Sequence, residues 1–260
     1  YFCIDIIKEG LPVLAGKKMM PKNALIEIAW MIAGKTDIAS LKKWGVNYWD
    51  KWADKNGLLG PIYGAQMREY GDGSQGFLGK SKDQLTWCLD QLKHNPNSRQ
   101  ICMSLWNPLE LADMKLPPCH CFYQFTCTNG IVDLHVYQRS ADSFLGVPYD
   151  FMLFAFLLIF MCQLSGLGIG KIHYTCADFH LYQNHLAQAV QYLQNVNNDP
   201  AKKVLNNMVP IRIHNYDFFK KLNLMSGWDE LWPLLEAHNF DVFDFTSYQP
   251  YEFIKAEVSV

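Results

Sequence analysis

The apolar positions in the first hundred residues recur at helical intervals. Residues 24–33 form an apolar run interrupted by one acid, Glu27, and this pattern predicts a buried helix. Residues 37–44 predict a second, short helix. A third helix is predicted over 82–94, where three leucines share one helical face: Leu85, Leu89 and Leu92.

Beyond residue 100 the pattern changes to the alternation typical of strands. Strands are predicted at 101–105, 122–128 and 131–137. The segment Thr128-Asn-Gly130 separates the last two and indicates a hairpin. The apolar run 151–162 follows, and it is too short for a bilayer span of roughly 20 residues. It therefore predicts a buried core helix.

The remaining third of the chain is mixed. A strand is predicted near 171–174 and an amphipathic helix over 181–196, and the tail is expected to end in short β-like segments. Helices and strands are interspersed without regular βαβ alternation, which favours the α+β class. Because the sequence contains no internal repeat or Gly/Ser linker, we expect one domain over residues 1–260.

Composition narrows the classes of function. Lys and Arg total 23 against 25 Asp and Glu, giving a net charge of -2. This balance argues against partners such as nucleic acid or a membrane surface, which usually select a basic excess. The 8 cysteines include no CxxC pair, so we expect a reducing cytoplasm rather than a disulfide framework. No Cys/His spacing suits zinc, and no metal is expected.

Cys119 is the best-placed candidate nucleophile. It follows Pro117 and Pro118 directly before a predicted strand, and Arg139 ends a neighbouring strand. A nearby cation would stabilise a thiolate. The pattern leaves open an inert buried thiol. Arg68, Arg99 and Arg139 each offer a guanidinium fork for phosphate, although a structural ion pair is the commoner use of a single arginine.

Three acids stand in apolar or aromatic surroundings: Glu27, Asp150 and Asp178. Burial raises the pKa of a carboxyl group, so such acids can carry protons at neutral pH. For Asp150 the pattern alone favours an ordinary helix N-cap. His180 and Tyr182, two residues apart, would point the same way in an extended chain.

Along nearly its whole length the chain resembles the thymidylate synthases and the related phage pyrimidine hydroxymethylases. The matching segments are Gly10-Leu-Pro-Val-Leu14, Glu27-Ile-Ala-Trp30, Trp49-Asp-Lys-Trp-Ala-Asp54, Leu59-Gly-Pro-Ile-Tyr-Gly-Ala-Gln66, Asn97-Ser-Arg99, Leu116-Pro-Pro-Cys-His120, Tyr137-Gln-Arg-Ser-Ala-Asp142, Phe144-Leu-Gly-Val-Pro148, Asp178-Phe-His-Leu-Tyr182 and the ending Ile254-Lys-Ala-Glu-Val-Ser-Val260. The resemblance implies a single domain whose mixed β-sheet forms a homodimer interface and covers a long buried central helix. The family's N-terminal phosphate loop has no match upstream of Gly10, so we expect it before Tyr1 or lost.

The resemblance also implies roles. Cys119 would add to C6 of a pyrimidine nucleotide, and C5 would then attack the methylene carbon of 5,10-methylenetetrahydrofolate. The implied catalytic set is Cys119, Glu27, Tyr63, Asp150 and Arg139. The implied nucleotide-binding set is Arg99, Gln100, Arg139, Ser140, Asp150, His180 and Tyr182. The implied cofactor-binding set is Trp49, Trp52, Leu116, Asp142, Gly146 and Val260.

Two departures from the family pattern bear on the substrate. Gln100 replaces a second arginine, which leaves Arg99 as the phosphate contact expected from the partner subunit. Asp150 replaces the asparagine that reads uracil. A protonated carboxyl offers one donor and one acceptor, which suits N3 and N4 of cytosine, so base reading is now favoured over the N-cap. We therefore predict hydroxymethylation of dCMP. Reductive methylation of dCMP, ordinary dUMP methylation, a CMP hydroxymethylase and a non-catalytic nucleotide- or RNA-binding relative remain open.

Overall fold

A mixed sheet of five strands organises the described residues, 1–71, 82–198 and 212–259, of the computed structural model. The strands are β1 (Phe2–Asp5), β2 (Cys102–Ser104), β3 (His120–Thr128), β4 (Ile131–Asp142) and β5 (Gly168–His180). Their order across the sheet is β1-β5-β4-β3-β2. The β4–β5 pair is parallel and the other pairs are antiparallel. The predicted α+β class is confirmed.

Helices lie before, within and after the run of strands. They are α1 (Ile6–Glu9), α2 (Pro21–Ile32), α3 (Ile38–Lys42), α4 (Tyr63–Arg68), α5 (Gln84–His94), α6 (Gly146–Ser165), α7 (Leu186–Asn198), α8 (Tyr216–Leu222) and α9 (Leu231–Ala237). The helices predicted at 24–33, 37–44 and 82–94 correspond to α2, α3 and α5. Short 3-10 turns occupy Gln183–His185 and Trp228–Glu230.

Helix α6 lies in the core, in contact with β4 and β5 on one side and with α2 and α5 on the other. Contact on both sides explains why its sequence is apolar all round rather than on one stripe. The helix is long and apolar enough to cross a membrane, since an 18-residue window of it has a mean hydropathy of 1.8. However, 72% of that window is buried inside the protein. It therefore serves as a core helix.

The N-terminus of α6 corrects one prediction. The helix begins at Gly146, five residues before the predicted start at 151, and it ends at Ser165, followed by Gly166, whose φ of 75° closes the last turn. The Asp142 carboxylate accepts the N–H groups of Phe144 and Leu145 at 2.9 and 3.2 Å. Asp150 lies inside the helix, so the N-cap interpretation of this residue was wrong.

The hairpin predicted from Thr128-Asn-Gly130 is confirmed between β3 and β4. Asn129 and Gly130 have positive φ values of 51° and 76°, as a tight two-residue turn requires. Strand β4 continues to Asp142, beyond the predicted end at 137, because its last residues pair with β5 up to Asp142↔His180. Long-range pairing thus holds polar residues in strands that local propensity would not extend.

The last third departs most from prediction. Helix α7 begins at Leu186 rather than 181, because β5 runs to His180 and a 3-10 turn follows. Over residues 212–259 the predicted β-like segments are wrong, since the structure has only an isolated bridge between Ile213 and Phe243 there. Hydrogen bonds from side chains of α7 and its preceding turn to the tail backbone hold this segment instead.

The two faces of the sheet differ in exposure. The face toward α6 carries the buried side chains of Tyr123, Val136 and Tyr174. On the opposite face Phe122 and Tyr137 remain 39% and 42% exposed in the single chain. We call this opposite side of the sheet the outer face.

Candidate active site

Cys119 lies at the junction of Pro117-Pro118 with β3, beside the late part of β4. Its carbonyl accepts the backbone N–H of Arg139 at 2.8 Å. Its own N–H donates to the hydroxyl of Tyr63 at 2.9 Å. The thiol is partly buried. Two strands and α4 therefore fix the cysteine backbone.

The guanidinium of Arg139 is held beside this thiol. Its Nε and Nη2 donate to the carbonyls of Pro118 and Pro117, each at 2.9 Å, and it lies over the ring of Trp106 at 5.3 Å. Nη2 is 3.9 Å from Sγ of Cys119. The prediction that Arg139 stands next to Cys119 is confirmed geometrically.

The pKa of the Cys119 thiol reflects opposing effects. Burial raises it above its ordinary value, and the negative charge of Asp150 adds to that rise. Arg139 and the hydrogen bond with Tyr63 lower it. A neutral Asp150 would remove one of the effects that disfavour the thiolate.

Glu27 projects from α2 and is only 5% exposed. Its two oxygens accept from different aromatic side chains, Oε2 from the Tyr48 hydroxyl at 2.5 Å and Oε1 from the Trp49 indole at 2.7 Å. Burial raises the pKa of Glu27 to about 7, although both hydrogen bonds lower it. The group can therefore take up or release a proton near neutral pH.

Asp150 lies in the second turn of α6 and faces β4. Its Oδ2 accepts the Nε2–H of Gln138 at 2.9 Å. Burial raises the pKa of Asp150 to about 7, the Gln138 hydrogen bond lowers it, and the charges of Glu27 and Asp142 raise it further. The sequence-based expectation of a carboxyl group that holds a proton near neutral pH agrees with this environment.

An aromatic wall stands behind Cys119. His120 stacks on Tyr63 with ring centroids 4.4 Å apart, and its Nδ1 is 2.5 Å from the Tyr123 hydroxyl. Burial lowers the pKa of His120 to about 3, so its ring is neutral. Burial also raises the pKa of Tyr63 well above its ordinary value.

The predicted sugar and phosphate residues lie at the same end of β4 and β5. Ser140 pairs with Asp178 across the parallel strands. His180 and Tyr182 have ring centroids 4.8 Å apart at 87°, and Nδ1 of His180 is 3.4 Å from the Asp178 carboxylate. The structure thus brings Ser140, His180 and Tyr182 to the C-terminal end of the parallel strands β4 and β5.

Two of the predicted cofactor residues, Trp49 and Trp52, pack against each other. Trp49 is buried with its ring 5.6 Å from Trp52 and 6.0 Å from Tyr63. Leu116 is partly buried against the core. Gly146 starts α6, and a Cβ there would lie 3.5 Å from Asp142 and 3.8 Å from Oδ2 of Asp150.

The C-terminal tail is bound against the 3-10 turn that precedes α7. The carbonyl of Glu257 lies 2.7 Å from Nε2 of the buried His185, and that of Val258 accepts from Lys51 at 3.1 Å. His185 packs on Phe144 with centroids 5.6 Å apart. Val260, predicted to contact the cofactor, lies outside the described residues.

Two predicted nucleotide contacts are not part of this cluster. Arg99 and Gln100 are exposed before β2, and the carbonyl of Arg99 accepts from Gln124 in the middle of β3. Gln124 is five residues along the strand from Cys119, roughly 17 Å at the usual rise. Within one chain the structure therefore does not bring Arg99 to the thiol.

Arg68, the third arginine considered for phosphate, is taken up by structural partners. It donates to Asp83 at 2.9 Å, to Asp229 at 2.7 Å and to the carbonyl of Ile32 at 2.7 Å. These contacts tie α4 to α2, α5 and the turn before α9. The structural ion-pair interpretation holds for this residue.

Sequence reasoning missed Gln138, Tyr48 and Tyr123. A signal existed for Gln138, because strand alternation places it on the same inward face as Leu134 and Val136, where a polar residue needs a partner. No local signal marked Tyr48 as a partner of Glu27.

Comparison with known families agrees with this geometry. The chain matches a family model described as thymidylate synthase over residues 2–260.

Proposed function

Because the chain belongs to the thymidylate synthase family, we propose that it transfers a one-carbon unit to C5 of a cytosine nucleotide, converting dCMP to 5-hydroxymethyl-dCMP. Members of the family methylate C5 of a pyrimidine nucleotide with methylenetetrahydrofolate and act as homodimers. The observation that carries the choice of cytosine is Asp150, which is bonded to Gln138 and lies within electrostatic reach of Cys119.

Cys119 acts as the nucleophile. Its sulfur bonds to C6 of the pyrimidine, the C5–C6 π electrons move toward C4, and C5 gains nucleophilic character. Arg139, with Nη2 at 3.9 Å, stabilises the thiolate. Glu27, whose pKa is about 7, organises the proton network near the pyrimidine base, and Tyr63 assists removal of the C5 proton later.

Asp150 reads the base. In its neutral form the carboxyl donates to N3 of cytosine and accepts from the N4 amino group. Uracil presents the opposite pattern, which a neutral carboxyl group matches only with its proton on the other oxygen. The family's asparagine lacks this freedom toward cytosine, and a mismatched buried hydrogen bond costs about 1–3 kcal/mol, so a carboxyl group at this position favours cytosine relative to an amide.

The residue types of the predicted cofactor set support the assignment of the cofactor site. The indole faces of Trp49 and Trp52 with Leu116 suit a flat pterin ring, and Asp142 and Gly146 supply a carboxylate and open space at the start of α6. When bound, methylenetetrahydrofolate supplies a one-carbon unit at the oxidation level of formaldehyde. The tail, whose Val258 carbonyl accepts from Lys51 between the two tryptophans in sequence, covers this region and excludes water.

The active form is a homodimer that uses the outer face of the sheet as its interface. The exposed Phe122, Ile131 and Tyr137 support this assignment, since pairing with a second sheet would bury them. Arg99 reaches the phosphate of the partner's site, which agrees with its distance from Cys119 in its own chain. Arg139, Ser140, His180 and Tyr182 hold the phosphate and sugar from within the chain, and we infer one catalytic domain.

A second candidate product is 5-methyl-dCMP. It is favoured by the bound tail and the buried Trp49, because both would shield C5 from water. Hydroxymethylation consumes water and releases tetrahydrofolate, whereas methylation consumes a hydride from the folate and releases dihydrofolate. The two products therefore differ by one oxygen atom.

The test is mass spectrometry of the products formed from methylenetetrahydrofolate with dCMP, dUMP or CMP in turn. The proposal expects turnover of dCMP and a product that carries a hydroxymethyl group. A product heavier by only a methylene unit selects the methylation alternative. Turnover of dUMP alone refutes the assignment of cytosine, a preference for CMP refutes the assignment of deoxyribose, and no turnover favours a non-catalytic relative.

A further inference from the structure

Gln138 is buried to 2% exposure and makes both of its polar contacts through one atom. Nε2 donates to the carbonyl of Ser140 and to Oδ2 of Asp150, each at 2.9 Å. The amide oxygen Oε1 is buried without a hydrogen-bond partner in the part of the chain that the structure describes. The two N–H groups of this amide are therefore fully used.

The carbonyl of Ser140 fixes which way the amide faces. A carbonyl oxygen only accepts hydrogen bonds, so turning the Gln138 amide over would place two acceptors against each other. Gln138 must therefore present an N–H group to Asp150. A donor that points at a carboxyl group bonds more strongly to its ionised form than to its neutral form.

We propose that Gln138 is a positioning residue that stabilises the Asp150 carboxylate once the Asp150 proton has passed to N3 of cytosine. This inference rests on the proposed function. As the Cys119 sulfur bonds to C6, the C5–C6 π pair forms the C4–C5 double bond. The N3–C4 π pair moves to N3, which takes the proton from Asp150.

After this transfer the Asp150 carboxylate faces three donors. They are the new N3–H, an N4–H of the base and the Nε2–H of Gln138. Uracil needs no such step, because its N3 already carries a hydrogen. Gln138 therefore contributes to the reaction of cytosine and not to that of uracil.

The test is Gln138→Met, which keeps the length of the side chain and removes the donor. The kcat/KM for dCMP is expected to fall at least tenfold relative to that for dUMP, equivalent to about 1.4 kcal/mol for one charge-assisted hydrogen bond. Because the two substrates are compared in one preparation, the fraction of folded enzyme cancels. The alkaline limb of the dCMP pH profile is expected to move to higher pH, since the lost donor had stabilised the charged form.

Two further variants separate this role from a structural one. Gln66→Met removes another buried amide with an unpartnered oxygen and should leave the dCMP:dUMP ratio unchanged. In an Asp150→Asn background, Gln138→Met should no longer lower kcat/KM for dCMP, because the carboxyl group that it acts through is gone.

The outcomes distinguish the two proposals. A wild-type enzyme that prefers dCMP, with an unchanged ratio in Gln138→Met, overturns the role of Gln138 and leaves the function standing. A full effect of Gln138→Met in the Asp150→Asn background also overturns it. A wild-type enzyme that prefers dUMP overturns the assignment of cytosine and this inference with it.

Discussion

Replacing Asp150 by asparagine changes one atom of the side chain and removes its transferable proton. A neutral carboxyl group can carry its proton on either oxygen and can pass it to N3. An amide can do neither, and the Nε2–H of Gln138, 2.9 Å from Oδ2, favours the orientation that brings the amide oxygen to that position. The variant therefore presents one fixed pattern, which the family's asparagine uses for uracil.

The size of the effect follows from the two contacts to the base. Each contact that changes from matched to mismatched costs about 1–3 kcal/mol, so two contacts amount to about 2–6 kcal/mol. At about 1.4 kcal/mol per factor of ten, the dCMP:dUMP ratio of kcat/KM should fall by roughly 30-fold to 10⁴-fold. We expect the lower part of this range, because the partly exposed site admits solvent.

The assay is single-substrate turnover of dCMP and dUMP, with products quantified by mass spectrometry. A matched control is Asp37→Asn, the same exchange at the N-cap of α3, where asparagine also caps. An Asp150→Asn enzyme that keeps the wild-type ratio would refute the assignment of Asp150 to base reading. As an independent readout, loss of the Asp150 charge should lower the pKa of the Cys119 thiol and shift its alkylation profile to lower pH.

Three further predictions follow from the site and the core. Tyr48→Phe removes a donor to Glu27, so the pKa of Glu27, about 7, should rise and the acid limb of the kcat profile should move to higher pH. Inactive Cys119→Ser and weakened Arg99→Ala subunits, mixed in equal amounts, should recover roughly a quarter of wild-type activity, since half of the random dimers hold one complete site. Phe156→Ala should lower the free energy of unfolding by about 3–5 kcal/mol in urea denaturation, because the ring is fully buried and packs on Phe243.

Each of these has an outcome that contradicts it. An unmoved acid limb in Tyr48→Phe would show that Glu27 does not set it. If the mixture is no more active than the sum of the two variants assayed separately, Arg99 does not act in the partner's site. A loss under about 1 kcal/mol in Phe156→Ala would mean that the core closes around the cavity, contrary to the tight packing of α6.

The pH dependence of wild-type dCMP turnover follows from two groups with opposite requirements. Asp150 must be neutral, so activity should fall as pH rises through its pKa of about 7. Glu27 must be ionised to act as a base, so activity should fall as pH drops through its pKa of about 7. We therefore expect a narrow bell-shaped pH profile for dCMP. In the Asp150→Asn variant, the pH profile for dUMP should have no alkaline limb.

Local patterns in the sequence were enough for the helices α2 and α5 and for the β3–β4 hairpin. These elements depend on contacts a few residues apart, such as the leucine face of α5 or the turn at Asn129-Gly130. The order of the motifs identified Cys119, Arg139 and Asp150 as candidates. Their chemistry depends on residue type, which the sequence states directly.

Only the tertiary structure decided how those groups act on one another. The hydrogen bonds that set the site join residues distant in sequence: Tyr48 to Glu27 over 21 positions, Cys119 to Tyr63 over 56, and Gln138 to Asp150 over 12. The parallel pairing of β4 with β5 and the early start of α6 place Gln138 against Asp150. No local pattern predicts such contacts, because they form only when separate elements pack and buried polar groups must find partners.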